Sequence, residues 1–189
     1  MMGDKQRSEG LETRLRRLED RIEINDLIAR YGLVMDNRDM AGMPGLFTHD
    51  VVISSTDGGM SAAGREAAVE MYRRRIKGLG PSNHFTHDRI VTFDEGSADV
   101  ARGIVLSHSE MNLRGAAMLA AIRYTDVYRR EESCWRFAAR ALSFLYFLRA
   151  DEFAEAMGPG VAGRNRVYGD RRPADWPEAL QSWKDFYGE

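Results

Sequence analysis

Asp36, His84 and His108 stand where the apolar pattern of this chain otherwise predicts core. One carboxylate and two imidazoles are the parts of a proton-transfer site. The carboxylate orients one histidine and stabilises it when charged, that histidine takes a proton, and the second acts as acid or hydrogen-bond donor. Histidine suits this work because its unperturbed pKa of ~6.5 lies near working pH. Each residue also has an ordinary alternative. Asp36 follows Val34 and Met35 and can equally close a helix or, like Asn37 and Asp39, cap the next one. A lone strand histidine is commonly a surface residue or an internally satisfied one.

Other chemistries fit less well. Asp36, His84, His87 and His108 include the ligand types that bind divalent ions. The three-residue offset of His84 and His87 suits a helix, however, and in a strand it projects them to opposite faces, so no metal site is expected. Cys134 sits beside Trp135 and reads as a small buried hydrophobe. There is no Gly-x-Ser-x-Gly nucleophile motif and no Gly-rich loop after a strand, so neither acyl transfer nor a dinucleotide cofactor is indicated, and no cofactor is expected.

The elements that must position these residues follow from periodicity. Residues 1–10 are polar and predicted disordered. Leu11, Leu15, Leu18 and Ile22, continued by Leu27, Ile28 and Tyr31, predict an amphipathic helix that ends at Gly32 or runs to Asp36. A short helix is expected over Met43–Phe47, with Pro44 in its first turn. A short strand, Val51–Ile53, should end at Asp57-Gly58-Gly59, and a second helix should run from Gly64 to the breaker Gly78-Leu79-Gly80-Pro81. Four long strands follow, His84–Phe93, Ala98–Met111, Ala116–Arg129 and Trp135–Leu148, joined by short polar turns that imply antiparallel hairpins. Residues 149–189 are expected to form a tail with a last helix near Pro177–Tyr187. Its Trp176, Trp183, Phe186 and Tyr187 are expected to pack on this domain or on a neighbour.

Helices with one early strand, then a four-strand meander, define an α+β chain. Its N-terminal helices pack in a cone against a strongly curved, mostly antiparallel sheet. The cone's mouth can hold a small ligand. Met35, Met40, Met43 and Met60 could line such an adaptable cavity, although plain core explains them as well. Tyr31 and Tyr72 are candidate pocket hydroxyls, and His49 is expected in an exposed loop.

Whether the two histidines meet depends on register. A hairpin loop of Glu95-Gly96-Ser97 pairs Asp94 with Ala98 and sets His84 opposite His108. A loop one residue longer flips the faces: His87 then shares the His108 face and His84 points away. A β-bulge in so long a strand would restore the first arrangement. Spacing leaves both open.

Composition bounds the remainder. The chain has 189 residues, 43% hydrophobic and 30% charged, an ordinary globular mix long enough for one sizeable core. A formal net charge of -2 and only short basic runs, Arg73-Arg74-Arg75 and Arg171-Arg172, argue against nucleic acid as a partner. One cysteine excludes an intramolecular disulfide. No apolar run approaches the ~20 residues of a membrane span. No membrane partner and a cytoplasmic location are the default expectations.

The order of elements also resembles a known family. Ile24-Asn25-Asp26-Leu27-Ile28-Ala29-Arg30-Tyr31, then Asp36, then His84-Phe85-Thr86-His87 are similar to the SnoaL-like branch of the nuclear transport factor 2-like superfamily. So are Tyr124-Thr125-Asp126-Val127-Tyr128 and Cys134-Trp135-Arg136-Phe137. The resemblance extends especially to scytalone dehydratase and hexachlorocyclohexane dehydrochlorinase, over residues 11–148.

That resemblance implies an aspartate after the first helix and a histidine at the start of the meander, matched by Asp36 and His84, with His108 at the spacing of the dehydratase's second histidine. It also favours the register that pairs His84 with His108. The implied activity is a cofactor-independent, dehydratase-type lyase acting on a small apolar, aromatic or steroid-like molecule. Tyr31, Met35, Ser54, Tyr72 and His87 are its expected substrate contacts. A SnoaL-type cyclase or isomerase, or a non-catalytic binding or assembly module, is the alternative, and a homodimer or homotrimer is implied in each case.

Overall fold

Helix α1, Leu11–Asp36, runs without a break past Gly32, and its covered face begins only at Asp20. From there Ile24, Leu27, Ile28, Tyr31, Val34 and Met35 are buried at helical spacing against the sheet. The earlier stripe, Leu11, Leu15, Leu18 and Ile22, is exposed, so the first turns extend beyond the core. Gly32 lets the helix approach strand β3: a Cβ there would touch the His84 Cβ at 3.4 Å. The computed structural model describes residues 10–56, 58–165 and 169–188. The disorder expected for residues 1–10 therefore falls almost wholly outside the described residues, as does Asp57.

A 3-10 turn at Met43–Leu46 leads into β1, Phe47–Ser55, which starts four residues earlier than its apolar run Val51–Ile53 indicates. His49 consequently lies in a strand, exposed, and not in a loop. A three-residue strand β2, Ser61–Ala63, pairs with β1 and precedes helix α2, Arg65–Ile76. Then come β3 (Leu79–Phe93), β4 (Val100–Leu113), β5 (Ala116–Glu131) and β6 (Cys134–Arg149). These four form the antiparallel meander. The sheet order is β2-β1-β6-β5-β4-β3, with β1 parallel to β6. Pro81, in the expected breaker, lies near the start of β3, the edge of the sheet where a missing N–H costs no ladder bond.

Bulges curl this sheet. Two residues of β3, His87 and Asp88, oppose Leu106 alone, and Ala138 and Leu145 of β6 have no partner on β5. Each extra residue bends its strand and changes which side chains face inward beyond it. The concave face closes over α1 and α2, and one continuous core fills the space between.

After β6 a 3-10 turn and the short helix α3, Phe153–Ala156, cross the rim. Strand β7, Gly163–Asn165, pairs with β6, and β8, Arg172–Pro173, pairs with β7. Asp175 exchanges hydrogen bonds with the Phe144 backbone, 2.7 Å and 2.9 Å, and Trp176 carries the Arg123 guanidinium on its ring. The last helix, α4, Gln181–Tyr187, leaves Phe186 and Tyr187 exposed.

Cys134 is exposed, not core: it opens β6 beside the turn, and alternation sends Trp135 inward and its neighbour out. Among the described residues, no helix is long and apolar enough to cross a membrane.

Candidate active site

Asp36 ends α1, and His84 stands near the start of β3. The Nδ1 of His84 lies 2.7 Å from Asp36 Oδ1, and the backbone N–H of His84 donates to Asp36 Oδ2 at 2.7 Å. The Ser82 hydroxyl donates to Asp36 Oδ1 at 2.8 Å. Arg38, which turns the chain with φ 58°, reaches back to Ser82 Oγ, to the Met35 carbonyl and to the Gly80 carbonyl. One guanidinium thus ties the helix end to the strand that carries the histidine.

Burial pushes the Asp36 carboxyl up, but the bonds from His84 and Ser82 outweigh it and hold the group below its ordinary value. It is therefore ionised at neutral pH. An ionised carboxylate only accepts hydrogen bonds, so His84 Nδ1 must carry the proton of the shared bond, and a neutral ring keeps its lone pair on Nε2. The dyad thus presents a base.

His84 lines a cavity of ≈ 960 Å³ between the helices and the sheet. Tyr31, Met35, Met60, Tyr72, Met111, Met118, Ile122, Tyr124 and Phe144 are among its other walls, so most of the lining is apolar. Tyr31 donates to the Tyr72 hydroxyl at 3.3 Å and meets the His84 ring edge to face. Burial, then Tyr31, pushes the Tyr72 and Tyr124 phenols well above their ordinary range, so both stay neutral.

The two-histidine site does not form. His84 pairs with Ser109, and Phe85 pairs with His108. His108 points to the outer face, where His87 Nε2 lies 2.7 Å from its Nδ1. Burial, then the charge of His87, pushes the His108 imidazole below its ordinary 6.5. The cause is the bulge at His87 and Asp88. Val91 and Phe93 face inward on one side of it, and Ser82 and His84 on the other, so constant alternation along β3 cannot hold. The expected contacts Ser54 and His87 are likewise absent from the cavity wall: Ser54 alternates with the buried Ile53 and Ser55 on β1, and His87 is outside. Tyr31, Met35 and Tyr72 do line it.

Two further features have no strong sequence signal. Ser109 is 1% exposed and lines the cavity directly across from His84. Its Oγ has no hydrogen-bond partner among the described residues. Behind Tyr31 and Tyr124, Arg140 and Asp126 form a fully buried bidentate pair at 2.9 Å and 2.8 Å. The guanidinium is packed on the Tyr31, Tyr124 and Phe137 rings, and Tyr128 donates to Asp126 at 2.8 Å.

A curled, mostly antiparallel sheet closed over helices around an apolar cavity defines the nuclear transport factor 2-like α+β class. Within it, the chain belongs to the SnoaL-like domain family, which matches residues 16–141. A hexachlorocyclohexane dehydrochlorinase (LinA) type 2 structure is 24% identical with a TM-score of 0.66, over 71% of this chain and 91% of that one. A candidate scytalone dehydratase from Novosphingobium aromaticivorans is 17% identical with a TM-score of 0.65, over 70% and 89%. An NTF2-like protein with a cystatin-like fold from the same organism is 29% identical with a TM-score of 0.58, over 77% and 92%. No curated protein matches the sequence.

Proposed function

We propose that this protein is a cofactor-independent lyase that eliminates water or another small group from a small, mostly apolar cyclic substrate. The observation that carries the reading is the Asp36–His84 pair, with the imidazole on the wall of an apolar cavity and the carboxylate behind it. His84 Nε2 removes a proton from the carbon next to the one bearing the leaving group. The C–H electron pair becomes the new double bond, and the leaving group departs with its own bonding pair, either as halide or as hydroxide that takes the proton from the His84 imidazolium and leaves as water. Asp36 stabilises the imidazolium so formed, and a cavity of low polarity strengthens that interaction. The Ser109 hydroxyl takes the part first assigned to His108, donating to a substrate oxygen across from the base. The neutral Tyr72 and Tyr124 phenols supply further donors. The dehydrochlorinase and dehydratase among the similar structures are eliminating enzymes by name, which supports the reaction class.

Turnover of a panel of cyclic β-hydroxy ketones and halogenated cyclohexanes, followed by product absorbance or chromatography, tests the reading. A substrate turned over by the wild type and not by His84→Ala is the expected result. Turnover equal to the wild type's in His84→Ala or in Asp36→Asn would sink it. Self-association through the outer sheet face, where Phe85, Ile90 and Ile104 are exposed, belongs to the same reading, and sedimentation velocity checks it.

A further inference from the structure

The cavity is apolar inside, but part of its mouth is cationic. Arg74 and Arg75, in the last turn of α2, and Arg114, in the β4–β5 turn, all line it. The two segments are fastened together: Arg114 adopts a left-handed φ of 52°, and its backbone N–H donates to the Gly78 carbonyl at 3.2 Å.

None of the three guanidiniums has an ion-pair partner among the described residues. The acids of the rim are already engaged. Asp151 takes both bonds of Arg149, at 2.9 Å and 2.7 Å, and Glu152 lies 3.7 Å from Arg171, which also holds Glu155. That leaves uncompensated positive charge on the α2 and β4–β5 side of the mouth.

Arginines in a final helical turn also favour the negative end of the helix dipole. Arg73 serves in that way on the solvent side, bonded to Glu70 at 3.1 Å, and it does not line the cavity. Arg74 and Arg75 do line it. An arginine fork matches carboxylate and phosphate oxygens, and three forks around one opening make an anion-binding rim.

We infer that the substrate is an amphipathic acid: an apolar ring body seated against His84 and Ser109, with an anionic carboxylate or phosphate group held at the mouth by Arg74, Arg75 and Arg114. The inference rests on the cavity being the substrate site of the proposed lyase, and binding tests it without reference to turnover.

The fluorescent neutral probe N-phenyl-1-naphthylamine reports occupancy of the apolar interior. Three competitors with one ring body displace it: 2-naphthoate, 2-naphthyl phosphate and methyl 2-naphthoate. At least one of the two anions should displace the probe at a concentration about tenfold or more below that of the ester, and added salt should weaken the anion alone. The tighter of the two anions identifies the head group. Arg74→Gln, Arg75→Gln and Arg114→Gln combined should erase the preference while leaving the ester's own displacement curve unchanged, which also shows that the variant is folded. Anions that displace no better than the ester, or a preference that survives the triple substitution, would overturn the inference. His84→Ala should keep the anion preference whatever it does to turnover, so failure of the lyase chemistry and failure of the anion rim give different results.

Discussion

Ser109 of β4 stands directly across from His84 of β3, and its hydroxyl is buried on the cavity wall with no partner among the described residues. A buried, unsatisfied hydroxyl costs stability in the free protein, and in the proposed reaction it is the donor across from the base. The neighbouring His108, chemically the more conspicuous residue, faces the other way.

Ser109→Ala should therefore lower kcat/KM by about tenfold, the worth of one hydrogen bond to the reacting molecule, while leaving thermal stability equal or slightly higher. His108→Ala should leave kcat/KM unchanged. Steady-state kinetics of the two variants side by side checks the assignment, and the reverse ranking would restore His108 to the site.

Asp36→Asn should reduce kcat by about 10²–10⁴-fold, because the amide neither fixes the His84 tautomer nor stabilises an imidazolium. Its effect on stability has a defined pH window. The folded carboxyl titrates below its ordinary 3.8. The unfolded chain therefore takes up the proton first as pH falls. The carboxylate's contribution is fully present above the unfolded value and disappears as pH drops through the folded one. Urea titrations of the wild type and Asp36→Asn should differ at pH 6 and converge toward pH 3. A difference that persists unchanged at pH 3 would show that the carboxylate's charge is not what the dyad contributes.

Much of the architecture was legible because the meander advertises itself: four long runs of strand character separated by polar turns leave few alternatives to antiparallel hairpins. Asp36 and His84 were legible because polar residues interrupt apolar patterns there. The face that His84 takes relative to His108 was not. Strand β4 alternates without a break and keeps His108 outside, while one extra residue of β3 at His87 and Asp88 turns His84 inward, and a bulge made of His and Asp carries no glycine or proline to mark it. Ser109 reads as an ordinary strand serine. Arg140 and Asp126 each look solvent-facing in their own strand, and only the register of β5 against β6 makes them a pair. β7 and β8, at three and two residues, are too short to leave a periodic signal.

The His87–His108 pair gives the outer face its own pH response. Because the folded His108 imidazole binds its proton less readily than the unfolded one, stability is full above about 6.5 and declines as pH falls through that value, levelling below the folded pKa. Melting temperatures at pH 7.5 and 5.5 should differ more for the wild type than for His108→Gln. An equal drop in both would show that other groups carry the acid response.

The strongest stability test lies behind the cavity. Arg140 and Asp126 are each 1% exposed, and burial works against the guanidinium's charge, but the Asp126 carboxylate outweighs it and keeps Arg140 ionised. Asp126→Ala removes the counter-charge and should cost about 3–5 kcal/mol, since the remaining cation has only aromatic faces around it. Asp126→Leu combined with Arg140→Met should cost less than Asp126→Ala alone, because an apolar pair of similar bulk leaves nothing charged unpaired. Gly103→Ala approaches the same network from β4. The added Cβ would meet Tyr128 Cε2 at 2.8 Å and its hydroxyl oxygen at 2.9 Å, so the ring must shift and its hydrogen bond to Asp126 is disturbed. A loss of about 1–3 kcal/mol follows for so tight a core site. Urea unfolding of the three variants checks the order. A double substitution costlier than Asp126→Ala would mean that the ion pair is a net stabiliser of the fold, beyond the penalty of breaking it.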